Sequence, residues 1–104
     1  MRRYEILIPL FHNDGSPQSI DVIDNIITDV QRWFGGITVD REVVGEWANA
    51  DGEVVEDKLI RLTADAGNEA HRDSEGWLRL MKYDWKADLR QDDIWITSYD
   101  VTVI

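Results

Sequence analysis

The chain is 104 residues long, and its 21 Asp and Glu outnumber 11 Lys and Arg for a formal net charge of −10 at pH 7. That length has room for one domain, read as residues 1–104, and with 43% of residues apolar and 10% aromatic it can bury a core that acidic disordered chains lack. Cys is absent, which excludes disulfides, thiolate metal sites, iron–sulfur clusters and cysteine nucleophiles.

From Tyr4 to Phe11 nearly every residue is apolar, which predicts a strand covered on both faces. Pro9 has no N–H to give a ladder, so a bulge or the strand's end is expected near it. His12-Asn13-Asp14-Gly15-Ser16-Pro17 collects turn formers and predicts a helix capped by Ser16, with Pro17 in its first turn. Ile20, Ile23, Ile26, Ile27, Val30, Trp33 and Phe34 recur at three- and four-residue steps, the stripe of an amphipathic helix. Asp21 and Asp24 sit near the positive end of its dipole. Gly35-Gly36 ends it at about Phe34 and lets the chain reverse.

Ile37, Val39, Val43 and Trp47 are then expected on one strand face, with Thr38, Asp40, Glu42, Val44 and Glu46 on the other. Asn49-Ala50-Asp51-Gly52 signals a hairpin into a second strand from Val54 to Thr63. Residues Asp65 to Asn68 form a turn and cap region, after which Ala70, Trp77, Leu78, Met81, Trp85 and Leu89 trace a second helix to about Gln91, with Gly76 marking a kink or a late start. The stretch from Ile94 to Ile104 alternates and is rich in strand formers.

The order is therefore β-α-β-β-α-β, a ferredoxin-like α+β sandwich with a four-stranded antiparallel sheet and two helices on one face. Glu5, Leu7, Phe11, Thr38, Asp40, Val44 and Glu46 are expected on the uncovered face, a mixture too apolar for a purely solvated surface. A homodimer or a bound ligand is the usual solution.

Few residues carry a chemical signature. His12-Asn13-Asp14 and His71-Arg72-Asp73 each hold a nitrogen ligand and a carboxylate two residues apart, but nothing in the sequence brings them together as a metal site. Asn49-Ala50-Asp51-Gly52 has the middle of a calcium loop, yet Trp47 and Lys58 stand where its first ligand and its bidentate Glu belong. Gly35-Gly36 follows a helix and lacks the Lys and Ser or Thr of a phosphate loop. No metal and no cofactor are expected. Residues 40 to 57 hold seven carboxylates, among them Glu42 and Glu46, against the single Arg41. This charge suits a solvated hairpin or a docking surface for a basic partner. Trp33, Trp77 and Trp85 fall on helix stripes and are expected in the core, whereas Trp47 and Trp95 sit on strands near turns, where they would stack a ligand or anchor a partner.

Gly35-Gly36-Ile37-Thr38, Gly45-Glu46-Trp47, Gly52-Glu53-Val54 and Asp57 together resemble the Gly-Gly-x-Thr, Gly-x-Trp, Gly-x-Val signature of small uncharacterised bacterial proteins of ferredoxin-like fold. The likeness spans about residues 33 to 62, with an echo in Ile8-Pro9-Leu10 and Asn13-Asp14-Gly15. It implies the same split βαβ fold and brings no catalytic residues with it.

The excess of carboxylates disfavours direct binding to nucleic acid or to anionic lipid. No apolar run approaches the roughly 18 residues that span a bilayer, and Met1-Arg2-Arg3 leads into a stretch broken by Pro9 and His12 instead of a secretory core, so a cytoplasmic location is expected. The leading expectation is a non-enzymatic binding or assembly module that dimerises, or binds a protein or small ligand, through the uncovered sheet face. Trp47, Trp95, His12, Asn13, Glu42 and Glu46 are its candidate contacts. A cofactor-free dimeric α+β barrel enzyme acting on a small organic substrate is the alternative, and an acidic mimic of DNA is a third.

Overall fold

The computed structural model describes residues 1–67 and 72–104. Its elements are β1 (Arg2–Pro9), α1 (Ile20–Phe34), β2 (Thr38–Ala48), β3 (Val54–Ala66), α2 (Ser74–Leu89) and β4 (Ile96–Asp100). The four strands form one antiparallel sheet in the order β2-β3-β1-β4, and both helices contribute to a core on one of its faces. This is the ferredoxin-like arrangement that the sequence predicts.

Alternation along the strands decides the layers. Tyr4, Ile6 and Ile8 of β1 and Ile60, Leu62 and Ala64 of β3 point toward the helices and pack on Ile23, Ile26 and Val30 of α1 and Leu78, Trp85 and Leu89 of α2. Phe34, Trp77 and Trp85 adjoin edge-on, at 6.2 and 5.9 Å between ring centroids. Trp33 stacks flat on Trp77 at 4.7 Å and donates its indole N–H to Ser74 Oγ, so it staples the end of α1 to the start of α2 from a half-buried position. Of the three Trp expected in the core, only Trp85 is fully buried.

Several boundaries differ from expectation for local reasons. Ser19, not Ser16, caps α1, its hydroxyl accepting from Val22 N–H. Ser16 is instead held by Asp14, and Pro17 makes an isolated bridge with Phe11, which lies outside β1. Ile20, the first residue of α1, is 75% exposed and leaves the apolar stripe. Gly35 takes φ +83° and returns its N–H to Gln31, ending α1 where expected. Asp73 caps α2 through Gly76 N–H, so the late start is the correct reading of Gly76; Ala70 and His71 lie outside the described residues. Arg90, at φ 54°, closes the helix, and β4 is shorter than the predicted strand at both ends.

A bulge in β2 makes the largest correction. Asp40 pairs with Arg61 while Val43 pairs with Leu59, so β2 holds one residue more than β3 between these points. The insertion switches the faces. Val39 opposes Leu62 on the helix side, whereas Val43, Gly45 and Trp47 share the uncovered side with Leu59 and Asp57, and Val44 and Glu46 move to the opposite side. Val39, Val43 and Trp47 therefore do not share a face.

Candidate functional site

The uncovered sheet face divides into two halves. At one end Arg3 grips Asp65 through two hydrogen bonds of 2.7 and 3.0 Å, Arg61 pairs with Asp40 at 3.2 Å, and Tyr99 donates to Glu5 at 2.9 Å. The Arg3 guanidinium holds the Asp65 carboxyl below the usual carboxylate range, mainly through these hydrogen bonds. These groups satisfy one another, and this half has the character of an ordinary solvated surface.

The other half is apolar and concave. Because β1 ends at Pro9, opposite Leu59, the β2–β3 hairpin continues past it as a two-stranded arm of residues 44–48 and 54–58. A groove of about 360 Å³ opens at the arm's base, lined by Leu7, Pro9, Trp47, Asp57, Leu59, Gln91, Asp93, Ile94 and Trp95. Trp47 folds back over Gly45 and beside Leu59, which is only 7% exposed although it faces away from the helices. Trp95 enters from the segment before β4, where its carbonyl accepts Leu7 N–H at 3.0 Å. Trp47 and Trp95 remain 48% and 60% exposed.

A second groove, of about 430 Å³, lies between the arm and the loop after β1, and it contains His12 and Asn13 with Phe11, Gly15, Val55, Glu56 and Lys58. Pro9, Asp57 and Gln91 line both grooves, so the two adjoin. The loop is shaped by His12 N–H to Ser16 O at 2.7 Å and Gly15 N–H to His12 O at 2.9 Å, with Gly15 at φ +86°. Ser16 also holds the Asp14 carboxyl below its usual range by hydrogen bonding to it. His12 Nδ1 is enclosed and has no hydrogen-bond partner among the described residues.

Four of the six residues singled out from sequence thus line two adjoining grooves, Trp47 and Trp95 the apolar one and His12 and Asn13 the polar one. Glu42 and Glu46 do not join them. Glu42 sits in the bulge, and Glu46 opposes Glu56 on the other side of the arm. Sequence reasoning missed Gln91 as a lining residue and Leu59 as the floor. The adjacent apolar pair Leu59-Ile60 was the available signal, since neighbouring residues on a strand face opposite ways and two apolar ones mean that both faces are covered.

No His, Asp or Glu cluster among the described residues has the make-up of a metal centre. Asp73 caps α2 and Asp14 holds the loop, while His71 lies outside the described residues. No described helix is long and apolar enough to cross a membrane.

No protein-family model matches the chain, and no curated protein matches it. Solved structures do. A phage SAM lyase in complex with S-methyl-5′-thioadenosine superposes with a TM-score of 0.65 at 12% identity, covering 95% of this chain and 80% of the lyase. The divalent cation tolerance protein CutA1 from Thermus thermophilus gives 0.61 at 18% identity, covering 99% of this chain and 86% of CutA1. At these identities the likeness is one of fold, and it makes the chain similar in architecture to both an enzyme and a protein named for cation tolerance.

Proposed function

We propose that this chain is a non-enzymatic binding module, acting as one ferredoxin-like domain, that pairs with a second copy through its uncovered sheet face and holds a small ligand in the groove there. The supporting observation is the company of Leu59, Trp47 and Trp95. A leucine is buried on the side away from the helices, and two largely exposed indoles border the same depression. Solvated sheet faces seldom concentrate apolar area in this way, and aromatic anchors of this kind dominate interface energetics. Native mass spectrometry over a concentration series tests the reading. A dimer that becomes a monomer when Trp47 and Trp95 are both replaced by Ala, with the circular dichroism unchanged, is the expected result. A wild-type protein that stays monomeric at every concentration, with no added mass, overturns it.

The enzyme reading has one specific observation in its favour: the His12 and Asn13 groove adjoins the Trp47 and Trp95 groove at Asp57. A substrate seated between the indoles would then have an imidazole and an amide close by. The phage lyase, which has the same fold, holds a small nucleoside thioether. This reading requires turnover that His12→Ala abolishes in a folded protein.

A further inference from the structure

We propose that the groove between Trp47 and Trp95 binds a small organic cation, an ammonium or sulfonium group on an apolar body, with Asp57 as the counter-charge. The proposal deepens the reading of the uncovered face as a binding surface and rests on it. Asp57 stands opposite Gly45 in the β2–β3 ladder, so its cross-strand neighbour is the Trp47 indole that lies over Gly45. It lies on the same side of the arm as Trp47 and Leu59, and among the described residues no cation is within ion-pair distance of it.

The other charges around the groove are already matched. Asp93 is held by Lys82 at 2.8 Å, which together with Ile94 N–H keeps its carboxyl below the usual range. Lys58 lines the neighbouring His12 groove and not this one. The depression therefore presents one uncompensated carboxylate beside two accessible indoles and an apolar floor. An anion would meet a lining of net negative charge. A divalent metal ion takes six or more oxygen ligands when it is calcium, and near-ideal octahedral oxygens when it is magnesium, which one carboxylate does not supply. An alkylated cation is suited to all parts at once: its charge meets Asp57 and the negative faces of the indoles, and its alkyl groups cover Leu7 and Leu59. A net charge of −10 adds long-range attraction for the same sign of ligand.

The test uses the ¹⁵N-labelled full chain and tetramethylammonium chloride as the probe, titrated against sodium chloride at equal ionic strength. Tert-butanol serves as the neutral compound of similar shape. The expected result is a saturable shift of the Trp47 and Trp95 indole N–H signals with tetramethylammonium and not with tert-butanol, while those of Trp33, Trp77 and Trp85 stay in place. Asp57→Asn is expected to weaken binding about fivefold, the value of one contact ion pair in water. Asp51→Asn, with the same charge change at the hairpin tip outside the groove, is expected to leave it within about twofold. Non-saturating shifts, equal response to tert-butanol, or equal weakening by the two variants overturns the proposal. If tetramethylammonium does not bind while the double Trp variant still dissociates the dimer, the cation proposal fails and the assembly reading stands.

Discussion

The indole of Trp47 lies over Gly45, two residues earlier on β2: a Cβ on Gly45 would stand 3.1 Å from ring atom Cζ2 and 3.4 Å from Leu59 Cδ1. The absent side chain is what lets the ring lie over this strand position beside Leu59. Gly45→Ala should therefore displace Trp47 and not unfold the protein, because the ring is a half-exposed group that can swing outward. We expect a changed Trp47 indole N–H shift and a stability change below about 1 kcal/mol, the gain in strand propensity offsetting part of the lost contact. An unmoved Trp47 signal contradicts this geometry.

Leu59 and Leu62 face opposite sides of β3, and their truncation should separate the two sides energetically. Leu62 is fully enclosed in the helix-side core, and Leu62→Ala is expected to cost about 3 kcal/mol, within the range for buried leucines. Leu59 is covered on its side by Trp47 and a water-accessible groove, so Leu59→Ala should cost nearer about 2 kcal/mol, the transfer of its side chain without a trapped cavity. Once Trp47→Ala has uncovered Leu59, the second truncation should cost less than it does alone. Urea unfolding of these variants and wild type at one concentration measures the differences, and strict additivity would show that Trp47 and Leu59 do not share a contact.

The architecture was legible because periodicity carries it. The α1 stripe, the glycine stop at Gly35 and the hairpin tip at Gly52 each follow from local chemistry that tertiary context did not override. The bulge was not legible. Val39, Val43 and Trp47 have the same parity, and only the strand pairing reveals the residue inserted between Asp40 and Val43 that sends Val39 to one side and the other two to the opposite side. The site was half legible for a related reason. Trp47 and Trp95 stood out as strand aromatics near turns, but their shared groove depends on the order β2-β3-β1-β4, which brings distant segments to one face. Asp57 was one acidic residue among several until the register placed it opposite Gly45.

Acid should remove the contribution of the Arg3–Asp65 pair. Asp65 has its folded pKa depressed by the Arg3 hydrogen bonds, so its stabilising effect is present above the unfolded carboxylate value of about 3.9 and is lost as the pH falls through the lower folded value. Asp65→Asn should thus lower the thermal midpoint at pH 7. The gap to wild type should narrow below about pH 4 and close once the pH has fallen below the lowered folded value, where both proteins carry a neutral side chain. Melting curves of the two proteins across this range are the check, and a gap that is constant with pH would mean that the pair contributes through packing alone.

Glu46 opposes Glu56 directly across the arm, an arrangement of like charges that costs stability in an antiparallel ladder. Glu46→Lys should convert the pair into an attractive one and raise the thermal midpoint, with the increment shrinking as salt is added. The Trp47 and Trp95 groove, which neither residue lines, should be unaffected, so dimer formation and the Trp47 and Trp95 indole signals serve as controls. A loss of assembly in this variant would place Glu46 in the interface and redraw its boundary around the arm.

Gly76 offers the sharpest test of local structure, because its effect should change sign with a neighbour. It is the third residue of α2, and the Asp73 carboxylate that accepts its N–H at 2.8 Å occupies the space a Cβ would fill. In wild type, Gly76→Ala must push that carboxylate aside, and loss of the cap, worth about 1 kcal/mol, cancels or exceeds the gain in helix propensity. Once Asp73→Ala has removed the carboxylate, the same Gly76→Ala change meets no obstacle and should stabilise by up to about 1 kcal/mol. The coupling between the two positions is the quantity to measure, by thermal or urea unfolding of the full double-mutant cycle. A value near zero would mean that Asp73 does not cap α2 in solution, and the start of the helix would then have to be redrawn.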